Sequence, residues 1–217
     1  MAMWRSLRGR AMLTSLRRQM NISTPMLLAI ALGYLLGSIP FGLVLTRLSG
    51  RGDIRDIGSG NIGATNVLRT GSKGLAAATL ILDALKGTAA VLLAELLWPG
   101  SGRYAAAGAL VGHLYPVWLR FKGGKGVATL LGILLGLAWP VAAIYAAVWI
   151  GLLLILRISS VAGMVAAVSA PIAASLLGRP DLTLMLAGFA LLVVYKHREN
   201  IARLAAGTEP RVGRSRA

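Results

Sequence analysis

The 217-residue chain contains no cysteine, only two histidines and only seven acidic residues. Without cysteine there are no disulfides, thiolate metal sites or cysteine nucleophiles. Two histidines, His113 and His197, and so few carboxylates leave no ligand cluster for a dedicated metal site, so neither a metal nor an organic cofactor is expected. Charge is scarce as well: 14% of residues are charged and 56% are hydrophobic, where an ordinary soluble domain carries about 25% charged residues.

The apolar residues are blocked into long runs, such as Pro25 to Leu45, Gly74 to Trp98 and Val161 to Leu177. Soluble core helices rarely sustain such lengths without a polar face. The pattern predicts an all-α, polytopic transmembrane bundle with about seven spans, given ~20 apolar residues per crossing and fewer for short helices inside a bundle. The predicted spans are 25–47, 74–97, 104–120, 126–138, 140–156, 160–177 and 182–195. Trp139-Pro140 closes the short fourth span as an interface marker and helix break.

The net charge of +16 is distributed as topology rather than as a nucleic-acid surface. Loops on one side carry Arg47, Arg51, Arg55, Arg69 and Lys73, then Arg120, Lys122 and Lys125, then Arg157 and the basic C-terminal segment, whereas opposite loops hold only Arg103 and Arg179. The bias places the polar loops and the C-terminus in the cytoplasm and the N-terminus outside. Arg5, Arg8, Arg10, Arg17 and Arg18 run against it. Residues 1–24 are therefore read as an extension, either interfacial or upstream of a native start at Met20, and not as a signal peptide, since no small-residue cleavage pattern follows. A single membrane-embedded domain is expected over 25–209, with a basic tail over 210–217. No transporter-type internal repeat is evident.

Three polar patches interrupt the apolar runs on the basic side. The first, GSGNIGATNVLRTGSKG (58–74), has glycines at Gly58, Gly60 and Gly63 that let backbone N–H groups approach an anion. Ser59, Asn61, Thr65 and Asn66 add neutral hydrogen-bonding groups, and Arg69 adds a planar cationic fork suited to phosphate. A formal GxGxxG match at 58–63 is rejected, because it lies between spans and not in a βαβ unit. The second patch contains Gly123-Gly124-Lys125-Gly126, which reads as a phosphate cradle around one ammonium or as a basic juxtamembrane turn; it is not a Walker A loop. The third, HRENIARLAAGTE (197–209), sets His197, Asn200 and Arg203 along one side of a helix, where histidine can move protons and an amide can orient a phosphate or carbonyl. His113 is read as a helix-packing residue. Asp83 and Lys86, three apart inside a span, are expected to pair or face the bundle interior, in a structural or substrate-adjacent role. Arg157, Ser159 and Ser160 end a span on the same side as the patches.

Together the patches resemble the bacterial acyl-phosphate:glycerol-3-phosphate acyltransferase family. The first family motif resembles Gly58-Ser59-x-Asn61-x-Gly63-x-x-Asn66-x-x-Arg69, and the second Gly112-His113-x-x-Pro116 followed by Phe121-x-Gly123-Gly124-Lys125-Gly126-Val127-Ala128-Thr129. The third resembles His197-x-x-Asn200-Ile201-x-Arg203-Leu204-x-x-Gly207-x-Glu209, and the likeness runs over residues 26–209. It implies transfer of an acyl group from acyl phosphate to the 1-hydroxyl of sn-glycerol 3-phosphate, giving lysophosphatidate and phosphate in phospholipid synthesis. It also implies an active site at the cytoplasmic face of the bacterial inner membrane and functional coupling to an acyl-phosphate-forming enzyme. Ser59, Arg69, Lys125, His197 and Asn200 would be catalytic; Gly58, Gly60, Asn61, Gly63, Thr65, Asn66, Gly123, Gly124, Gly126 and Arg203 would bind substrate; Glu209 stays a structural candidate. Either His197 or a substrate phosphate would accept the hydroxyl proton. An organic-phosphate carrier and a structural lipid-binding module are the competing classes.

Overall fold

The computed structural model describes residues 24–213, and these form helices, turns and loops with no strand among them. The Arg-rich extension, except Thr24, and the last residues of the basic tail, 214–217, lie outside the described residues. In chain order the helices are α1 (Thr24–Gly37), α2 (Phe41–Leu48), α3 (Ala64–Leu68), α4 (Lys73–Leu97), α5 (Gly102–Leu114), α6 (Val127–Leu137), α7 (Trp139–Leu156), α8 (Ser159–Leu176), α9 (Pro180–Lys196) and α10 (Arg198–Ala205).

Two of the predicted spans end differently. The first, predicted as continuous over 25–47, breaks between α1 and α2 at Ser38–Pro40. Pro40 has no N–H to donate, and its ring excludes a helical carbonyl one turn back; the Ile39 N–H donates instead to the Leu36 carbonyl at 3.3 Å. The third stops at Leu114, six residues before its predicted end at 120, because Pro116 drives Tyr115 out of helical geometry (φ −140°). A short 3-10 turn, Val117–Leu119, follows.

Small residues set the packing. Where α1 crosses α5, a Cβ on Gly33 or Gly37 would collide with the backbone of Ala105 or Ala109, and one on Gly108 or Gly112 with the backbone of Ile30 or Tyr34. Two Gly-x3-Gly stretches thus interlock backbone to backbone, the packing expected where lipid tails remove any hydrophobic drive between helices. The sequence carries this signal plainly at 33/37 and 108/112, and reading for hydropathy alone passes over it. Gly37→Leu should cost more than about 3 kcal/mol, beyond ordinary overpacking, since backbone and not a side chain must yield; the check is thermal unfolding in detergent, and an unchanged midpoint would refute the interlock. Alanines do similar work in α8, where Ala166, Ala167, Ala170 and Ala174 are buried against Tyr145 of α7 and Leu186 and Val193 of α9.

Outside this core the molecule is apolar: Leu48, Leu96, Ile155, Leu176 and Leu184 are each more than three-quarters exposed. A soluble monomer does not present such a surface. Among the described residues three helices are long and apolar enough to cross a membrane, the broken Thr24–Leu48, Trp139–Leu156 and Ser159–Leu176. Contacts at the two bundle ends are separate. At one end the Trp118 indole N–H donates to the Ser38 carbonyl (2.9 Å) and the Val212 N–H to the Arg157 carbonyl (2.7 Å), while at the other Arg179 Nη1 donates to the Leu137 carbonyl (3.2 Å).

Candidate active site

The first patch begins with a clamp. Asp53 accepts from the Arg55 backbone N–H and guanidinium and from Arg47 at 2.6–3.0 Å. The Arg55 guanidinium, ahead of Arg47, holds this carboxyl well below the usual range. From there the chain turns through Gly58 and Gly60, both with positive φ. Asn66 organises the turn: its Nδ2 donates to the carbonyls of Ile54 (3.0 Å) and Ile57 (2.8 Å), and its Oδ1 accepts from the Ser59 N–H (3.1 Å) and Arg69 Nη1 (3.2 Å). Gly58 has a φ of +59°, and a Cβ there would come within 2.7 Å of both Asn66 Oδ1 and Arg69 Nη1. Glycine is thus required for Arg69 to lie across the turn. Asn61 Oδ1 accepts from the Gly63 N–H (2.9 Å). The two asparagines are therefore engaged in shaping the loop, and Ser59, exposed Thr65 and Arg69 are left at its rim.

The second patch folds back on the end of α5. The Gly123 N–H donates to the Leu114 carbonyl (3.2 Å) and the Gly124 N–H to the His113 carbonyl (3.0 Å). Two of the donors read from sequence as an anion cradle are thus spent within the fold. Gly124 serves close approach instead, since a Cβ would strike the His113 imidazole directly beneath it. Gly126, at φ +88°, starts α6. The turn aims Lys125 at the third patch, where its Nζ donates to Asn200 Oδ1. Burial, then the positive fields of Arg203 and Arg69 against the opposing Glu209 and Glu199, lower the Lys125 ammonium to about 8. The second and third patches therefore meet at Lys125, with Arg69 of the first close enough for its charge to act on the same ammonium.

Glu209 holds the third patch together. One of its oxygens accepts from Ser160 (2.7 Å) and Asn200 Nδ2 (2.6 Å), the other from Arg203 Nε (2.7 Å). Burial raises its carboxyl, but the hydrogen bonds from Ser160, Asn200 and Arg203 outweigh this and leave it below the ordinary carboxylate value. Asn200 is thereby fixed with its amide nitrogen toward Glu209 and its oxygen toward Lys125. The residue read from sequence only as a structural candidate turns out to orient two of the predicted site residues. A signal was available: Gly207, at φ +67°, ends α10 and turns the chain so that residue 209 returns beside 200 and 203.

His197 lies at the junction of α9 and α10, buried, with Nδ1 2.8 Å from the Val193 carbonyl. That contact makes Nδ1 the protonated nitrogen and leaves Nε2 as an acceptor. Burial, with the Lys125 charge opposing the Val193 hydrogen bond, lowers the imidazole to about 4, so the ring is neutral at physiological pH.

Asp83 and Lys86 stand apart from this cluster. Lys86 Nζ lies 2.6 Å from Asp83 Oδ1, donates to the Ile39 carbonyl (2.7 Å) at the α1–α2 break, and sits 5.8 Å over the Phe41 ring. His113 Nδ1 is 3.8 Å from the same Asp83 oxygen. They pair inside the bundle, as the cost of an isolated charge there requires.

Residues 27–207 match the sequence family described as glycerol-3-phosphate acyltransferase. A glycerol-3-phosphate acyltransferase of Mesorhizobium japonicum is 60% identical over 87% of this chain and 96% of its own length, and one of Brucella anthropi is 56% identical over 88% and 96%. The fold also superposes on crystal structures of an integral membrane glycerol 3-phosphate acyltransferase. Its glycerol 3-phosphate form gives a TM-score of 0.81 at 40% identity, covering 87% of this chain and 96% of that chain. Its lysophosphatidic acid form gives 0.80 at 38% identity. The chain belongs to the glycerol-3-phosphate acyltransferase family. It is a multi-pass membrane acyltransferase.

In this acyltransferase Glu209→Gln tests whether the buried carboxylate positions Asn200 and Arg203. An amide keeps the shape but cannot accept from Ser160, Asn200 and Arg203 as a carboxylate does. The expected loss is on the order of a hundredfold in kcat, as for other outer-shell orienting groups, with the far-UV circular dichroism unchanged. Activity within about twofold of the parent would remove Glu209 from that role.

Proposed function

We propose that this enzyme transfers a fatty acyl group from acyl phosphate to the 1-hydroxyl of sn-glycerol 3-phosphate, releasing 1-acylglycerol 3-phosphate (lysophosphatidate) and inorganic phosphate. The observation that carries the reading is Lys125, bonded to the fixed oxygen of Asn200 and within the electrostatic reach of both Arg203 and Arg69. Both substrates bear phosphates, and a phosphate-handling site needs that concentration of cations. The loops enclosing it are taken to face the cytoplasm, at the end of a seven-crossing bundle formed by residues 25–209 in the inner membrane. There they would receive acyl phosphate from the enzyme that forms it, with the acyl chain entering sideways between helices.

An acyl phosphate is a mixed anhydride with a good leaving group, so no covalent enzyme intermediate is required. The glycerol hydroxyl oxygen attacks the acyl carbon, the carbon–oxygen bond to phosphate breaks, and the hydroxyl proton passes to a phosphate oxygen. Arg69 and Lys125 neutralise phosphate charge as it develops; Ser59 and Asn200 orient the donor; the second loop admits glycerol 3-phosphate. His197 contributes a neutral ring whose Nε2 accepts a hydrogen bond. An imidazole lowered to about 4 is a poor base for an alcohol at neutral pH, whereas a phosphate with a second ionisation near pH ~6 is better matched.

Purified protein given acyl phosphate and labelled glycerol 3-phosphate should release labelled lysophosphatidate. Uptake of label into vesicles without product would favour a carrier and end the enzymatic reading. His197→Gln addresses the proton. Any acidic limb in kcat/KM belongs to substrate phosphate and should persist in the variant, even though kcat falls on the order of tenfold or more through lost orientation. A limb that disappears with the imidazole would make His197 the base.

A further inference from the structure

The turn Val117–Lys122 lies outside the catalytic cluster, yet it is built in an unusual way. Arg120 and Phe121 are consecutive non-glycine residues with positive φ, +51° and +61°. A bulky residue tolerates that conformation only when its surroundings impose it. Here the backbone is locked: the N–H groups of Arg120, Phe121 and Lys122 donate at 3.0 Å to the carbonyls of Val117, Pro116 and Leu119. The base of the turn is pinned by Tyr34, whose hydroxyl donates to the Tyr115 carbonyl and accepts from the Val117 N–H, and by the Trp118 indole on the Ser38 carbonyl.

The result is to display aromatic and cationic side chains together. Trp118 and Phe121 are 48% and 59% exposed, and Arg120 and Lys122 beside them are exposed too. Neither cation makes a side-chain hydrogen bond or ion pair among the described residues. Some other loop cations are paired: Arg47 and Arg55 share Asp53, Arg179 has Asp181 and Arg203 has Glu209. An exposed tryptophan–phenylalanine pair at the end of an apolar bundle sits at headgroup depth, where unpaired arginine and lysine meet lipid phosphates.

We propose that the Val117–Lys122 turn is a binding site for an anionic phospholipid of the surrounding bilayer. Trp118 and Phe121 seat in the interfacial layer, and Arg120 and Lys122 grip the phosphodiester. Because Lys122 directly precedes Gly123-Gly124-Lys125, the bound lipid steadies the loop that carries the catalytic cation and makes turnover responsive to membrane charge. This consequence rests on the acyl-transfer reading; the lipid site itself does not.

The test compares the parent enzyme with Arg120→Gln/Lys122→Gln in two measurements. Native mass spectrometry of detergent-solubilised protein mixed with phosphatidylglycerol and phosphatidylcholine reads the site independently of catalysis. The parent should retain phosphatidylglycerol preferentially, and the variant should lose that preference by on the order of tenfold, as expected for two interfacial cations. In bilayer discs of phosphatidylcholine with and without about 30 mol% phosphatidylglycerol, the parent should gain several-fold in kcat/KM over the variant. Bulk repulsion of anionic substrates acts on both proteins alike, so the difference between them isolates the site. Equal phosphatidylglycerol retention by the two proteins overturns the site; normal retention differences with identical lipid response overturn its link to turnover. Absence of lysophosphatidate from the parent in every lipid would count against the acyl-transfer reading alone.

Discussion

Lys125→Met should lower kcat/KM by on the order of a thousandfold, the scale seen when a preorganised group facing developing charge is removed. The thioether keeps roughly the length and apolar stem of lysine and removes the ammonium. What is lost is the cation that bonds the second patch to Asn200 of the third and lies within the fields of Arg69, Arg203 and Glu209. Folding should be little affected, because Lys125 is only half-buried and its charge is disfavoured by burial in the free enzyme. The pH profile offers a second readout. A lysine lowered to about 8 loses its proton as pH rises through that value, so kcat/KM, which reports the free enzyme, should decline above pH 8. Lys125→Arg stays charged across this range and should abolish that limb even where its absolute activity is lower. A Lys125→Met enzyme within about tenfold of the parent would refute the assignment.

The second large effect concerns stability. Lys86→Met strands Asp83, whose side chain is 4% exposed, in the bundle interior, with His113 Nδ1 3.8 Å from its Oδ1. Breaking one side of a buried ion pair costs about 3–5 kcal/mol, because the remaining charge stays unpaired. Removing both charges, as in Asp83→Asn/Lys86→Met, should restore most of the loss, apart from the Ile39 carbonyl that Lys86 also satisfies. Thermal unfolding in detergent, followed by tryptophan fluorescence, gives the midpoints of the parent, Lys86→Met, Asp83→Asn and the double variant. A double variant as unstable as the sum of the two single variants would show that the charges are not coupled.

Hydropathy located the helices well, because a lipid-facing helix must be apolar nearly all round and its run length is then visible in one dimension. It did not register the break at Ser38–Pro40 or the early end of α5 at Leu114. A window average counts Ile39 and Val117 as favourable whether or not the backbone beside Pro40 and Pro116 can stay helical. The polar patches stood out by residue type against the apolar runs, and the structure joins the second to the third through Lys125 and Asn200. The division of labour within them was not legible. Whether the Gly124 N–H faces an anion or the His113 carbonyl depends on how α5 ends, and whether Glu209 reaches Asn200 depends on the turn at Gly207. The first is a tertiary fact that residue type and spacing do not encode; of the second, Gly207 signals the turn but not the groups that Glu209 meets.

The place of Glu209 in the order of synthesis has a consequence for how the enzyme comes to life. All the described helices, α1 to α10, and both preceding loops leave the ribosome before this carboxylate does. The interlocked glycines of α1 and α5 can therefore settle in the bilayer while Asn200 and Arg203 still lack the acceptor that orients them. In this chain the polar frame over α10 is therefore completed from its C-terminal side, by one carboxylate that reaches back to Ser160, Asn200 and Arg203.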